Sequence, residues 1–144
     1  MDYQTWLNII DKIKSGNNSE ELLNTLKNAP INNNINELII PKIEELIKTR
    51  FEKRIITITN DLDNIFNDSN YLDLILVNLK KEITFLLEIC NLKQLNEDTK
   101  NNLKLYLVNK TEQVYDILLK EAKRIDYTGI YEMTIKNNKM KWSK

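Results

Sequence analysis

The sequence predicts an all-α fold: a helical bundle of three long antiparallel helices, with two short N-terminal helices and a small C-terminal β-hairpin. Three observations carry this. The 144 residues include only two glycines and two prolines, too few for the many tight turns of an all-β domain. Apolar residues recur every three or four positions through most of the chain, the period of an amphipathic helix. Hydrophobic residues make up 42% of the total, the share of a globular chain rather than a disordered one. The length fits one domain over residues 1–144, large enough to bury a core without disulfides or metals. No linker, internal repeat or composition break divides it.

The elements follow in order. Asp2 is placed to cap a first helix over 3–15, which puts Tyr3, Trp6, Ile9, Ile10 and Ile13 on one face; Gly16 then suits a left-handed C-terminal cap. Ser19, Glu20 and Glu21 open a second helix over 20–28, with acids in the first turn and Leu22, Leu23 and Leu26 on its apolar face. Pro30 ends it, and Asn32, Asn33 and Asn34 form a loop and cap. Pro41 is tolerated in the first turn of a helix but not inside one. A third helix is therefore expected over 41–67, after a short helical turn at 35–40. Its stripe of Ile43, Leu46, Ile47, Phe51, Ile55, Ile58, Leu62, Ile65 and Phe66 makes a rod roughly 40 Å long.

A fourth helix is expected over 71–95, with one apolar stripe through Leu72, Leu76, Leu79, Ile83, Leu86, Leu87 and Cys90. A second stripe, nearly opposite, holds Leu74, Phe85, Ile89 and Leu92, and two apolar faces mark a central helix. The fifth helix, over 98–125, repeats the feature with Leu103, Tyr106, Leu107, Val114, Ile117, Leu118 and Ile125 on its main stripe and Val108, Tyr115, Leu119 and Ala122 on a weaker one. The N-terminal helices are expected to cover the second stripes. Beyond Gly129 the period changes to two, and 131–142 reads as a hairpin turning at Asn137 and Asn138. Tyr131, Met133, Ile135, Met140 and Trp142 would share its docked face.

Charge and composition then exclude functions. Lys+Arg and Asp+Glu both number 21, giving a formal net charge of zero. A general nucleic-acid binder carries excess positive charge to displace counterions. There is no histidine, the usual general base near neutral pH and the commonest metal ligand. Its absence removes Ser–His and Cys–His nucleophile pairs and histidine-based zinc motifs. Cys90, the single cysteine, lies on an apolar stripe, where a free thiol behaves as a small hydrophobe. Asp61, Asp63, Asp68 and Asp73 look briefly like a calcium loop, but Ile65 and Phe66 stand where an EF-hand needs an oxygen ligand and a glycine. No cofactor and no metal are expected. A start without a basic, apolar leader and the lack of a long apolar run lead to the expectation of a cytoplasmic protein without a membrane span. Abundant Asn, Ile and Lys match the codon bias of an AT-rich genome.

Two basic clusters are the candidate anion or partner contacts. Lys48, Arg50, Lys53 and Arg54 lie together on the third helix, the two arginines four apart so that their forks project together. They read either as a phosphate contact or as a solvated face with Arg54 held by a carboxylate from another helix, and Glu44, Glu45 and Glu52 favour the second. Lys136, Lys139 and Lys141, with Lys144, form the other cluster; the hairpin would turn them away from the aromatics, as exposed strand lysines that block edge aggregation. A helix-turn-helix is disfavoured because the connection from Asn28 to Asn34 is too long.

The expected function is a non-catalytic protein-binding module, an inhibitor, immunity, antitoxin or adaptor protein that acts by occupying another protein; a second copy of the chain also fits. A nucleic-acid-binding regulator using the two basic clusters is the alternative, and a carboxylate-dependent enzyme the remote third.

Overall fold

The computed structural model of the chain describes residues 1–16, 20–126 and 128–140. It is 83% helical, with seven helices and no strand among the described residues. They are α1 (Tyr3–Lys14), α2 (Glu20–Asn28), α3 (Asn33–Asn60), α4 (Leu62–Ile65), α5 (Ser69–Cys90), α6 (Glu97–Ile125) and α7 (Ile130–Asn138). The long helices α3, α5 and α6 pack on one another, α1 lies on α3, and α7 lies on α5 and α6. Buried apolar residues from all seven form one cluster, from Trp6 and Ile13 through Phe51, Leu86 and Leu118 to Ile135.

Side chains that accept from orphan amides start most of the helices. Asp2 accepts from the Thr5 amide at 2.8 Å, Asn32 from Asn34 at 3.0 Å, Asp68 from Asn70 at 2.9 Å and Asn96 from Thr99 at 2.8 Å. Each satisfies one of the donors a helix start leaves unpaired. Ser19, expected to open α2, lies outside the described residues.

Pro41 does not start a helix. It sits inside α3, which runs unbroken from Asn33. Proline in a helix interior costs about 3 kcal/mol or more because an amide is lost and its ring crowds a carbonyl. Here the preceding turns are anchored by Ile39, fully buried, and Asn36, while Pro41 itself is exposed. The same helix ends at Asn60 rather than near residue 67. The Asp61 carboxylate accepts from the Tyr71 hydroxyl and from Asn64 Nδ2 at 3.0 Å, which ties the break between α3 and α4 to the start of α5. Those hydrogen bonds hold the Asp61 carboxyl below its ordinary pKa, that from Tyr71 most.

The fourth long segment also stops early, at Cys90. Residues 91–96 turn instead, and Leu92 and Leu95 plug the core from that turn. Gln94 is buried there and donates its Nε2 to the carbonyls of Leu26 and Ala29, at 2.9 and 2.7 Å. It thus fills the Ala29 carbonyl just past α2 and adds a second donor to the Leu26 carbonyl, which also accepts from the Ala29 amide at 3.3 Å.

The expected hairpin over 131–142 is the main correction: 130–138 is helix. Tyr131 and Ile135 are two steps apart on a strand face, but they are also four residues apart, so the pattern fits one face of a helix equally well. Local chemistry decides. Gly129 takes φ +83°, which turns the chain between α6 and α7. The Asp126 carboxylate accepts from the amides of Thr128 and Tyr131 at 3.0 and 3.1 Å. Ile135 is then fully buried, and the Tyr131 ring meets Phe66 edge-on at 5.3 Å. Lys141, Trp142 and Lys144 lie outside the described residues.

Candidate functional site: a basic cleft and an open groove beside α5

Arg50 lies on the apolar stripe of α3, in register with Ile43, Leu46 and Ile47, and is only 6% exposed. A guanidinium there must be paired, because a buried lone charge is prohibitively costly. Glu82 of α5 meets it. Arg50 Nε donates to Glu82 Oε1 at 2.9 Å and Nη2 to Oε2 at 2.6 Å, a two-point fork on a carboxylate that is 3% exposed. Arg50 Nη1 donates to the Ile13 carbonyl at 3.1 Å, near the end of α1. One side chain therefore clasps α1, α3 and α5 together. The guanidinium also lies over the Phe85 ring, 4.9 Å from its centre, in cation–π contact.

Arg54, one turn further on, approaches the same Glu82 Oε2 at a longer 3.6 Å and stays 33% exposed. Outside this pair opens a cleft of about 230 Å³ lined by Lys14, Gly16, Arg50, Lys53, Arg54, Thr57 and Glu82. Four cations thus face a single carboxylate. Lys14 is partly neutralised by Glu45 at 3.3 Å and Asp11 at 3.8 Å. Lys53 is exposed and makes no ion pair among the described residues.

Of the residues singled out from sequence, Arg50, Lys53 and Arg54 share this cleft. Lys48 does not; it lies over the Tyr106 ring, 5.7 Å from its centre. The C-terminal cluster is dispersed. Lys136 pairs with Glu132 at 2.9 Å and Lys139 with Glu112 at 2.6 Å, and Lys141 lies outside the described residues. Two charged members of the cleft escaped sequence reasoning, Glu82 and Lys14. Glu82 carried a signal: it is a lone carboxylate inserted in the stripe of Leu79, Ile83 and Leu86, matching the lone Arg50 on α3. Lys14 carried none.

Beside the cleft, α5 presents a second feature. Leu74 and Val77 are 56% and 45% exposed. The surface continues into an open groove of about 540 Å³ lined by Val77, Lys80, Lys81, Thr84, Phe85 and Glu88 of α5 and by Glu20 of α2. Lys80 and Lys81 make no ion pair among the described residues, whereas Glu88 pairs with Lys27 of α2 at 3.6 Å. Thr84 turns its hydroxyl back to the Lys80 carbonyl at 2.8 Å. Phe85 therefore belongs to both features, as the ring over which Arg50 lies and as part of the groove wall.

The chain matches no protein-family model, and no curated protein or solved structure is detectably similar to it. Function must therefore be read from the two features themselves. The thiol of Cys90 is buried, and burial pushes its pKa up to about 12, so it stays a neutral thiol at neutral pH. Among the described residues no three acidic or thiol side chains gather as a metal site would need, and no helix is long and apolar enough to cross a membrane.

Proposed function

We propose that this chain is a non-catalytic binding protein that acts by occupying another protein, with the outer face of α5 as its contact surface. What supports the reading is the exposure of Val77, which lines the groove with Phe85, and of Leu74 about one turn before it on the same helix. Isolated exposed apolar residues need no explanation, but exposed apolar side chains that adjoin a concave groove are the usual mark of a contact surface. Fully burying a side chain of this size is worth about 1.5–3 kcal/mol, enough for a few such contacts to anchor a complex.

The surroundings favour one kind of partner segment. Lys80 and Lys81 line the groove and make no ion pair among the described residues, while its carboxylates are Glu20 of α2 and Glu88, which pairs with Lys27 of α2. On the lysine side an amphipathic helix with acidic residues beside its apolar stripe complements the groove in shape and charge. From Leu74 to Phe85 the face is roughly 16 Å long, three turns of such a helix. Inhibitor, immunity, antitoxin and adaptor proteins all act by occupation of this kind. The antiparallel course of α3, α5 and α6 that their short connections imply belongs to the same reading, since it leaves α5 with one face inward and one outward.

A photo-cross-linking residue placed at Val77, with a second variant carrying it at Met133, tests this in the source cell. Met133 is a fair control because it is 63% exposed on α7. Cross-links from Val77 that map to an acidic amphipathic segment of another protein are expected. Cross-links that arise from Met133 and not from Val77, or that join two copies of this chain at Val77, would overturn it.

A further inference from the structure

We infer that the cleft between α1 and α3 is a binding site for a phosphomonoester-type oxyanion, independently of the α5 reading. The charge arrangement is the starting point. Among the described residues Glu82 is the one carboxylate that lines the cleft, and Arg50 already occupies both of its oxygens at 2.9 and 2.6 Å. Arg54 reaches that carboxylate only at 3.6 Å. The Arg50–Glu82 pair is therefore electrically closed, and Arg54 is a surplus cation with about two thirds of its side chain removed from solvent. A partly desolvated charge interacts more strongly with an incoming ion than a free surface charge does.

Lys53 adds a second cation without an ion-pair partner among the described residues, and Lys14 approaches from α1. A carboxylate or chloride would use only part of this. A tetrahedral oxyanion offers three peripheral oxygens, which suits a planar arginine fork and ammonium groups arriving from two helices. The cleft of about 230 Å³ holds one such group rather than a run of them. On α3 itself the cationic stretch is bounded by Glu45 and interrupted by Glu52, so it makes a pocket and not a track for a polynucleotide backbone. The shared chemistry is a phosphoryl dianion, carried either by free phosphate or by a phosphoserine side chain.

Amide and arginine Nε resonances followed by NMR at constant ionic strength test this, with the full chain titrated by inorganic phosphate, by a phosphoserine peptide and by its unphosphorylated form. Saturable shifts at Gly16, Thr57 and the Arg54 Nε–H are expected with phosphate in the millimolar range or tighter. Tighter binding of the phosphopeptide than of phosphate assigns the group to a protein side chain, and the reverse order assigns it to a free anion. Loss of one charge-assisted contact should weaken binding about tenfold in Arg54→Gln and in Lys53→Gln. The second variant matters because Lys53 is exposed and makes no ion pair among the described residues, so its loss leaves the fold intact. No saturable shift, equal binding of the unphosphorylated peptide, unchanged affinity in Lys53→Gln, or tighter binding of a phosphodiester oligonucleotide than of either monoester would overturn the inference.

Discussion

Two halves of one helix behave differently. On the outer side of α5, Phe85 and Ile89 are buried near its C-terminus, while Leu74 and Val77 near its N-terminus are about half exposed. The C-terminal half is covered from the N-terminal side of the chain: Lys27 of α2 pairs with Glu88, Gln94 ties the following turn to the end of α2, and Arg50 lies over Phe85. Among the described residues Leu74 has no such cover and stays 56% exposed. Hydrophobic periodicity shows which face of a helix wants cover; whether it is covered depends on the length and path of the other elements. An uncovered stretch of an otherwise core-like stripe is where a partner has most to gain.

The contrast can be broken hardest at its buried end. Glu82→Ala leaves Arg50 without a counter-ion in the core, and breaking a buried pair this way should cost about 3–5 kcal/mol in urea unfolding. The double replacement Arg50→Met with Glu82→Leu should recover most of that loss, because an apolar pair avoids the desolvation of two ions. A cost under about 1 kcal/mol for Glu82→Ala would mean that the pair behaves as a surface ion pair. Next in size is Leu86→Ala, at the centre of the inward stripe and fully buried. It should cost about 2–5 kcal/mol, measured the same way; a change near zero would put α5 in the wrong rotational phase.

Cys90 sharpens the same buried side chemically. Its thiol pKa lies above the ordinary value, pushed up to about 12 by burial. Between the ordinary value and 12 the unfolded chain loses this proton and the folded chain keeps it. The contribution is therefore complete below the ordinary thiol pKa and is lost as pH rises through that window. The destabilisation caused by Cys90→Ala, about 1 kcal/mol near neutrality, should shrink from pH 8 to pH 11. A thiol-specific reagent should label the protein only on unfolding. Prompt native-state labelling at pH 8 would contradict the burial.

Much of this was legible in the sequence. The helical class, the two-faced character of α5 and the core position of Cys90 follow from period and composition. Asp2 and the asparagine run announced their caps. What failed has specific physical causes. The segment 130–138 holds one buried residue, Ile135, and a turn's worth of contacts, so two periods fit it equally; the choice came from Asp126 and Gly129 outside the segment. Pro41 was read as a helix start, a sound local signal overridden by the burial of Ile39 in the turn before it. In the cleft, Arg50 and Arg54 were found as a basic cluster, but the sequence favoured Arg54 as the residue facing the interface. The bidentate partner is Arg50, because one turn along α3 decides which fork reaches Glu82. Lys14 joins only because α1 folds back along α3.

The most direct test of the difference between the two halves of α5 is equilibrium urea unfolding of Leu74→Ser/Val77→Ser. The expected change is within about 0.5 kcal/mol per site, with an unchanged slope against urea, because neither side chain is part of the folded core. A loss of about 2 kcal/mol or more would show that these residues are packed in the free protein, and that the outer face of α5 is not open to a partner.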